Sequence, residues 1–227
     1  MSCFMDSKFK GMRFYTPEQQ RSITEDLDSA VTIPVNTEID VEHRVYDMSE
    51  IRKILLEADK IALQDCGCKT EFNNCDSPKD VCLSVNKVAN EWTENGEFDA
   101  KFITVDEALE VLERSHKAGL VHMSYTMKGD DKPGLICSCC ACCCHTLGSL
   151  VRNGIHTQIL TSRYVAKDDS DKCINCGFCV DRCVFQARKI EKGTLHYDNI
   201  QCFGCGLCVS TCSEEAISLV DRKTVTG

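Results

Sequence analysis

The sequence predicts an α+β fold in two parts, a mainly helical, cysteine-rich N-terminal domain and a small C-terminal domain of short strands and cysteine-bearing loops. Three observations support this prediction. Apolar residues recur at helical spacing from residue 49 to about residue 120, strand and hairpin signals occupy the last quarter, and a four-cysteine motif occurs twice in that quarter. We therefore divide the chain into a polar N-terminal extension at 1–48, a cysteine-rich domain at 49–162 and a C-terminal domain at 163–227.

The extension is polar, with acidic runs at 25–28 and 38–42 and one cysteine, Cys3. An acidic run is usually a solvated face, and a partner-docking arm is the alternative. Regular structure is predicted from Ser49, which can cap a helix, and a short strand is predicted at 61–63. The apolar stripe of this first helix consists of Ile51, Ile54, Leu55, Ala58 and Ile61.

A second helix is predicted after Ser77-Pro78, a pair typical of a cap and first turn. Cys82 would then lie in the first turns of that helix, where the partial positive charge of the N-terminus favours a thiolate-bound anionic cluster. The predicted apolar face consists of Val81, Val85, Val88, Ala89 and Trp92.

A third helix is predicted from the capping-box pair Thr104 and Glu107, and it should end at Ala118-Gly119. The C-terminal domain is predicted to contain three pieces of extended chain: a first strand at 163–166, a hairpin at 189–197 turning at Lys192-Gly193, and a returning strand at 216–220.

The C-terminal quarter contains C-x2-C-x2-C-x3-C twice, with the second copy 29 positions after the first. Three thiolates spaced by two residues wrap one cubane, and the fourth turns toward the cluster of the other copy. The predicted ligand sets are therefore interleaved, Cys173, Cys176, Cys179 with Cys212, and Cys202, Cys205, Cys208 with Cys183. A pair of zinc sites is the alternative, but zinc rarely needs a third C-x2 step or a crossed fourth ligand.

From about Arg163 to Lys223 the chain resembles the bacterial-type ferredoxins that carry two [4Fe–4S] clusters. The resemblance implies the small α+β ferredoxin fold and two such clusters as cofactors. One departure is plain, because Val184 and Ser213 follow the fourth cysteines where that family usually has proline. The change affects local loop shape and reduction potential and leaves the ligands in place.

Ten further cysteines form two groups in the middle of the chain. Six cysteines within eight residues are not ordinary core packing, and disulfides between neighbours would be strained, so metal is the favoured interpretation. Some thiols would serve one metal centre and some another, or one larger cluster would use many of them. The first group is Cys66, Cys68, Cys75 and Cys82, and the second is Cys137, Cys139, Cys140, Cys142, Cys143 and Cys144.

These two groups, with the sequence Gly119-Leu120-Val121-His122 between them, are similar to a family of anaerobe iron–sulfur proteins. That family places such a cysteine-rich domain ahead of a two-cluster ferredoxin domain, often without assigned function. The resemblance implies an iron–sulfur redox role and gives no substrate. For His145 we favour solvent exposure or a backbone hydrogen bond over metal ligation or proton transfer, and for His122 we favour core packing.

Composition sets the expected surroundings. The net charge of −9 argues against a nucleic-acid surface and favours redox protein partners with a basic docking patch. The N-terminus has no apolar signal core, and no segment reaches the length of a membrane span. Nineteen cysteines in 227 residues without these signals predict a reducing cytoplasm in an anaerobe, with bound metal contributing to folding.

Three classes of function follow. The preferred one is an iron–sulfur electron-transfer protein, a carrier or an electron-transfer subunit of an oxidoreductase, that passes low-potential electrons through the two C-terminal clusters and an additional N-terminal iron–sulfur centre. The second is a reductase in which the C-terminal clusters feed an unusual catalytic cluster. The third is an iron–sulfur assembly or metal-handling module. The sequence lacks a phosphate-binding-loop motif, a dinucleotide-binding motif and a Ser-His-Asp arrangement, so nucleotide hydrolysis and acyl transfer have little support. A flavin stays open as a cofactor, because flavin sites need no short sequence motif.

Overall fold

The computed structural model describes residues 9–23, 27–33, 47–153, 159–160 and 162–225, so Cys3 and the acidic run at 38–42 lie outside the described residues. The helices are α1 Pro17–Ile23, α2 Asp47–Leu56, α3 Gly67–Phe72, α4 Asn86–Asn95, α5 Val105–Lys117, α6 His145–Asn153 and α7 Phe178–Arg182. The strands are β1 Leu27–Ile33, β2 Ile61–Asp65, β3 Asp80–Val85, β4 Lys101–Phe102, β5 Val121–Met127, β6 Leu135–Cys139, β7 Ile159–Leu160, β8 Tyr164–Asp168, β9 Arg188–Glu191, β10 Thr194–Tyr197 and β11 Ile217–Asp221.

A seven-stranded sheet organises the N-terminal part of the molecule, in the order β4-β2-β3-β6-β5-β1-β7. Neighbouring strands are antiparallel except β1 and β7, which are parallel. Mixed α+β content is therefore confirmed, whereas the prediction of a mainly helical N-terminal domain is wrong. Strand β1 comes from the segment that the sequence marked as a polar extension, and it pairs with β5 along its length.

The second predicted helix is the main source of that error. Val81 and Val85 lie on strand β3, and only Val88, Ala89 and Trp92 lie in a helix, α4. The four-residue spacing of Val81 and Val85 fits a helical stripe and strand alternation equally well. The segment is a strand because it pairs with both β2 and β6. This position in the middle of the sheet buries the side chains of all its residues except Asp80.

The other predicted elements are found. Helix α2 begins at Asp47, two residues before Ser49, and buries Ile51 and Leu55. The capping box of α5 is formed: the Glu107 N–H donates to Thr104 Oγ1 at 3.2 Å, and the Thr104 N–H donates to Glu107 Oε2 at 2.7 Å. The strand predicted at 61–63 is the start of β2.

The sheet has two different faces. One packs against α2 and α5 and forms an aliphatic core that includes Leu55, Leu83, Leu112 and Ile136. The opposite face of β3 and β6 presents cysteines, because Cys137 and Cys139 alternate with Ile136 and Ser138. The register pairs Leu83 with Ile136, so Cys82 lies beside Cys137 on the cysteine face.

The C-terminal part contains two small antiparallel sheets, β8 with β11 and β9 with β10. All three predicted pieces of extended chain are therefore confirmed. The hairpin turns at Lys192 and Gly193, whose φ angles of +50° and +80° are those of a two-residue hairpin turn. Among the described residues, none of the helices combines the length and the apolar character needed to cross a membrane.

Candidate metal centres

The cysteine duplication is also a duplication of backbone conformation. Equivalent hydrogen bonds follow the loops, with the Cys183 N–H donating to the Val180 carbonyl and the Cys212 N–H to the Val209 carbonyl, both at 3.1 Å. Three pairs of positive φ angles, each pair 29 residues apart, shape the loops in the same way in both copies. These pairs are Asn175 with Gly204, Gly177 with Gly206, and Gln186 with Glu215.

Each copy of the motif contributes to two cavities. Both cavities have a volume of about 20 Å³ and are lined mostly by apolar groups and cysteines. Each has three cysteines from one copy and the fourth cysteine of the other copy in its lining. We name them the outer cavity, with Cys173, Cys176, Cys179 and Cys212, and the inner cavity, with Cys183, Cys202, Cys205 and Cys208.

A buried guanidinium lies between the outer and inner cavities. Arg188 is ion-paired with Asp168 through two bonds of 2.6 and 2.9 Å, and its side chain is only 1% exposed. Its N–H groups also face the sulfurs of Cys179 and Cys208, one from each cavity. One cation therefore serves both cysteine sets, which sequence inspection missed because Arg188 lies on a hairpin strand outside both motifs.

The ten middle cysteines separate into two sets. Six of them form a closed ring in which each thiol interacts with its two neighbours. No three ring sulfurs lie within 4.8 Å of one another, so the ring is open at its centre. In order, this six-thiol ring is Cys66, Cys68, Cys144, Cys139, Cys137 and Cys82.

The remaining four thiols form a compact group beside the ring, which we name the four-thiol group: Cys75, Cys140, Cys142 and Cys143. All four sulfurs lie within 4.8 Å of one another, and Cys75 Sγ lies 3.7 Å from Cys140 Sγ and 3.9 Å from Cys143 Sγ. Cys75, which the sequence grouped with Cys66, Cys68 and Cys82, therefore belongs with the second cysteine run.

Three kinds of local structure direct the ring thiols inward. Cys82, Cys137 and Cys139 are on the cysteine face of the sheet, Cys66 and Cys144 immediately precede α3 and α6, and Cys68 lies within α3. Cys144 Sγ accepts a hydrogen bond from the Leu147 N–H at 3.3 Å, as an N-cap side chain does. The prediction that Cys82 lies in the first turns of a helix is wrong, since it lies on β3.

The ring lines a cavity of about 260 Å³, and Trp92 and Phe98, which are also in its lining, pack together with ring centroids 4.9 Å apart. Lys69 is also in its lining, is 2% exposed, and donates from Nζ to the Ser138 carbonyl at 2.6 Å. Thiols of the ring and of the four-thiol group raise the pKa of Lys69 even though burial lowers it. A buried ammonium needs an anionic partner, and thiolates are the partner that this site provides.

Interactions among these thiols lower the pKa of three of them, and burial and neighbouring thiols raise the pKa of six others. Hydrogen bonds from Cys68 and Cys82 lower the pKa of Cys66 to about 3, and those from Cys139 and Cys68 lower the pKa of Cys144. In the four-thiol group, a hydrogen bond from Cys142 lowers the pKa of Cys140 to about 6. Thiolates are the metal-binding form of cysteine, so each set contains at least one thiol whose lowered pKa favours binding of a cation.

The two histidines differ in environment. His145 Nδ1 lies 3.0 Å from Cys68 Sγ, so the expectation of solvent exposure or a backbone hydrogen bond is wrong. His122 is fully buried and bonded to Ser138 Oγ at 3.1 Å, and burial lowers its pKa to about 3. It is neutral at physiological pH and packs in the core, as expected.

The inner cavity and the six-thiol ring share one apolar core. Phe185 and Phe203 stack with centroids 4.5 Å apart, and they pack with Leu207 against the sheet and α6. Polar contacts add to this junction: His116 Nε2 and Ser210 Oγ lie 2.7 Å apart, and Arg182 donates to two carbonyls at the end of α5. The full membership of this junction core is Val121, Met123, Tyr125, Cys139, Cys144, Leu147, Leu150 and Leu207, with Met127, Leu135, Cys137, Val151, Val184, Phe185, Phe203 and Cys205 packed against it.

Comparison with known proteins agrees with part of this picture. No curated protein matches the chain. A family model described as a 4Fe–4S dicluster domain matches residues 172–216, which include all eight cysteines of the outer and inner cavities. The C-terminal part of the chain is therefore similar to iron–sulfur dicluster domains, and it lies beside a second, tightly clustered set of cysteines.

Proposed function

We propose that the protein transfers low-potential electrons between redox partners through two [4Fe–4S] clusters, one in each C-terminal cavity, and an additional iron–sulfur centre at the six-thiol ring. The observation that carries the proposal is the junction core, which includes Cys139 and Cys144 of the ring together with Cys205 of the inner cavity. The order of sites would then be ring, inner cavity and outer cavity.

The crossed cysteine sets support the assignment of ligands. Each cavity has four cysteines and several apolar side chains in its lining, which suits a cubane that needs four thiolates and a low-dielectric shell. When bound, such clusters supply one-electron oxidation and reduction. Cys176 is the exposed member of the outer set, which places that cavity at the surface where a partner could exchange electrons.

Buried cations support the proposal of anionic centres. Arg188 faces one cysteine of each C-terminal set, and Lys69 faces the ring. Each offsets negative charge that four or six thiolates would otherwise concentrate in a poorly solvated place. Positive charge near a cluster favours its reduced form, so these two residues would set the potentials along the relay.

A reductase is the second candidate, and the cavity over the ring favours it. The lining of this cavity combines the ring cysteines with Trp92 and Phe98, so a small molecule could lie against a centre held by the ring thiolates. His145, 3.0 Å from Cys68 Sγ, would be the nearest proton donor. Under this alternative the C-terminal clusters would supply the electrons.

The rest of the proposed setting comes from charge and composition. With a net charge of −9, the protein would dock with partners that carry a basic patch, in the reducing cytoplasm of an anaerobe. Redox partners follow from the dicluster match, whereas the identity of donor and acceptor is left to experiment.

Anaerobic purification of the full chain, with iron and sulfide quantification and EPR of oxidised and reduced protein, tests the proposal. We expect about eight irons in two cubanes plus the iron of the ring centre. Cys183→Ser should mainly damage the inner cluster, and its counterpart Cys212→Ser should mainly damage the outer one. Loss of the outer cluster in Cys183→Ser would refute the crossed ligand sets.

The ring is tested separately. Cys82→Ser should remove iron beyond the cubane complement while leaving both cubane signals. If the wild-type protein contains no iron beyond two cubanes, the ring centre is not an iron–sulfur cluster and the reductase alternative falls with it. A change in the EPR signal of the ring centre on adding cyanide or carbon monoxide would favour the reductase over the carrier.

A further inference from the structure

The four-thiol group has the spacing of a single-ion site. A zinc ion binds cysteine sulfur at about 2.3 Å, so the sulfurs of a regular tetrahedral shell lie about 3.8 Å apart. The measured Sγ–Sγ distances are 3.7 Å from Cys75 to Cys140 and 3.9 Å from Cys75 to Cys143. Cys142 Sγ also lies within 4.8 Å of the other three sulfurs, and Cys143 Sγ within 4.8 Å of Cys140 Sγ.

A cubane would need a wider arrangement, because four irons and four sulfides lie between its thiolates. In the described part of the chain, no other set of three or more Cys, His, Asp or Glu ligand atoms lies mutually within 4.8 Å. The eight C-terminal cysteines and the six-thiol ring therefore lack the tight spacing of the four-thiol group. The tight spacing of the four-thiol group indicates a site for one metal ion, and the wider spacing of the other sets indicates clusters of several ions.

The surroundings of the four-thiol group suit a dianionic metal-thiolate unit. The backbone N–H of Asn74 faces Cys143 Sγ, and the backbone N–H of Cys143 faces Cys140 Sγ. The partly buried guanidinium of Arg152 interacts electrostatically with all four-thiol members except Cys75, and it also donates to the Ala141 carbonyl. N–H groups and a nearby cation stabilise thiolates that are bound to a metal.

We propose that Cys75, Cys140, Cys142 and Cys143 bind one Zn²⁺ in a closed tetrahedral shell, separate from the iron–sulfur centres. Four thiolates leave no open coordination position, which is the pattern of a structural zinc site. None of the four sulfurs belongs to the junction core that links the ring to the inner cavity, so the site lies off the proposed electron path.

The ion would join two loops that extend from the same end of the paired strands β3 and β6. Cys75 lies in the loop between α3 and β3, and the other three ligands lie in the turn between β6 and α6. Asn74 already bridges these segments, donating from Nδ2 to the carbonyls of Cys142 and Arg13, both at 2.8 Å. Since α3 and the β6–α6 turn both carry ring cysteines, the zinc site would hold the ring in shape.

Metal analysis of the full chain, purified anaerobically, tests the assignment. We expect about one zinc per chain in the wild type, lost in Cys75→Ser and in Cys142→Ser, with the cubane iron unchanged. Cys82→Ser is the matched control, because it removes a ring thiol, and it should lose iron and keep zinc. Loss of iron and retention of zinc in Cys75→Ser would overturn the proposal.

Two measurements on wild-type protein keep the test independent of how the variants fold. Zinc K-edge X-ray absorption should show four sulfurs at about 2.3 Å and no nitrogen or oxygen ligand. Reconstitution with Co²⁺ should give the visible absorption of a tetrahedral tetrathiolate. Absence of zinc, or a rubredoxin-like single-iron EPR signal in its place, would refute zinc as the resident ion without affecting the electron-transfer proposal.

Discussion

Among the described residues, Lys69 and Arg188 are the fully buried lysine and arginine that face the cysteine sets, and burial makes the charged form of each costly in solvation free energy. The burial of these two residues could not be predicted from the sequence, because a lysine after Cys68 and an arginine on a hairpin are typical of the solvent-exposed surface. The contacts become visible only when strands distant in sequence are paired. Arg188 meets Asp168, 20 residues away, and Lys69 meets the carbonyl of Ser138, 69 residues away.

Replacing Lys69 should lower the potential of the ring centre. Lys69→Gln removes one positive charge that favours the reduced, more negative state. One unit charge a few ångströms away contributes roughly 2–4 kcal/mol at an effective dielectric constant near 20, which corresponds to a fall on the order of 100 mV. An EPR-monitored redox titration measures it. Lys87→Gln, at an exposed lysine paired only with Glu91, should leave the potential unchanged.

Replacing Arg188 should affect both cubanes and the fold together. Arg188→Gln leaves Asp168 without its partner in a poorly solvated place, and breaking such a pair costs about 3–5 kcal/mol. We expect a lower unfolding midpoint and lower potentials for both C-terminal clusters. Chemical denaturation and redox titration measure the two effects. The neighbouring Lys189→Gln is the control, and an equal effect there would contradict the role of Arg188.

Among the secondary-structure elements, those with local signals were predictable and those defined by distant pairing were not. The capping box of α5 and the Lys192-Gly193 hairpin depend on adjacent residues, and both form as expected. Strand β3 was misread because its burial depends on β6, about 50 residues later. The same pairing brings Cys82 to Cys137, so the division of the ten cysteines into a ring and a four-thiol group could not be read from spacing.

The capping box gives a prediction for α5. Thr104→Ala removes the side-chain oxygen that accepts from the Glu107 N–H, and loss of such a cap costs about 0.5–2 kcal/mol. The free energy of unfolding should fall by this amount with metal content unchanged. Thr104→Ser keeps the hydroxyl and should stay near wild type. A loss of iron in Thr104→Ala would show that α5 also affects the cysteine sites.

Substitution of Gly204 tests the loop that lines the inner cavity, and Gly193 in the β9–β10 hairpin provides the control. Gly204 has a φ of +72°, and a Cβ there would collide with the Tyr164 carbonyl oxygen and the Ser162 side chain. Gly204→Ala should therefore displace the loop that carries Cys202 and Cys205 and reduce loading of the inner cluster. Gly193, at +80°, has open space around it, so Gly193→Ala should cost only about 1–2 kcal/mol of backbone strain. Equal cluster loading in both variants would contradict this account.

At the scale of the whole molecule, the two sets of sites are joined by packing as well as by chain. The apolar junction core and the contacts of Arg182 and His116 hold the C-terminal part against the sheet. The sequence indicated that both parts bind metal, but it gave no information on their contact, because the junction residues are spread across the chain.

The C-terminal part alone should still bind its clusters. A fragment starting at about Arg163 should incorporate about eight irons as two cubanes after reconstitution, because all eight cysteines lie within it. It should be less soluble than the full chain, since Phe185, Phe203 and Leu207 lose their cover. Iron analysis and light scattering measure the two outcomes. Phe203→Ser in the fragment should restore solubility, and failure to bind iron would show that the clusters need the sheet.

The same junction has a kinetic consequence. Many redox proteins move a mobile domain between electron donor and acceptor, so their turnover slows as the solvent becomes more viscous. Here a shared apolar core and a partly buried hydrogen bond between His116 and Ser210 fix the inner cavity against the ring. The rate of electron transfer between these two sites would therefore not be limited by diffusion of one part of the protein toward the other. Internal transfer should therefore proceed at the same rate in buffer and in concentrated sucrose, and only the encounter with partners should slow.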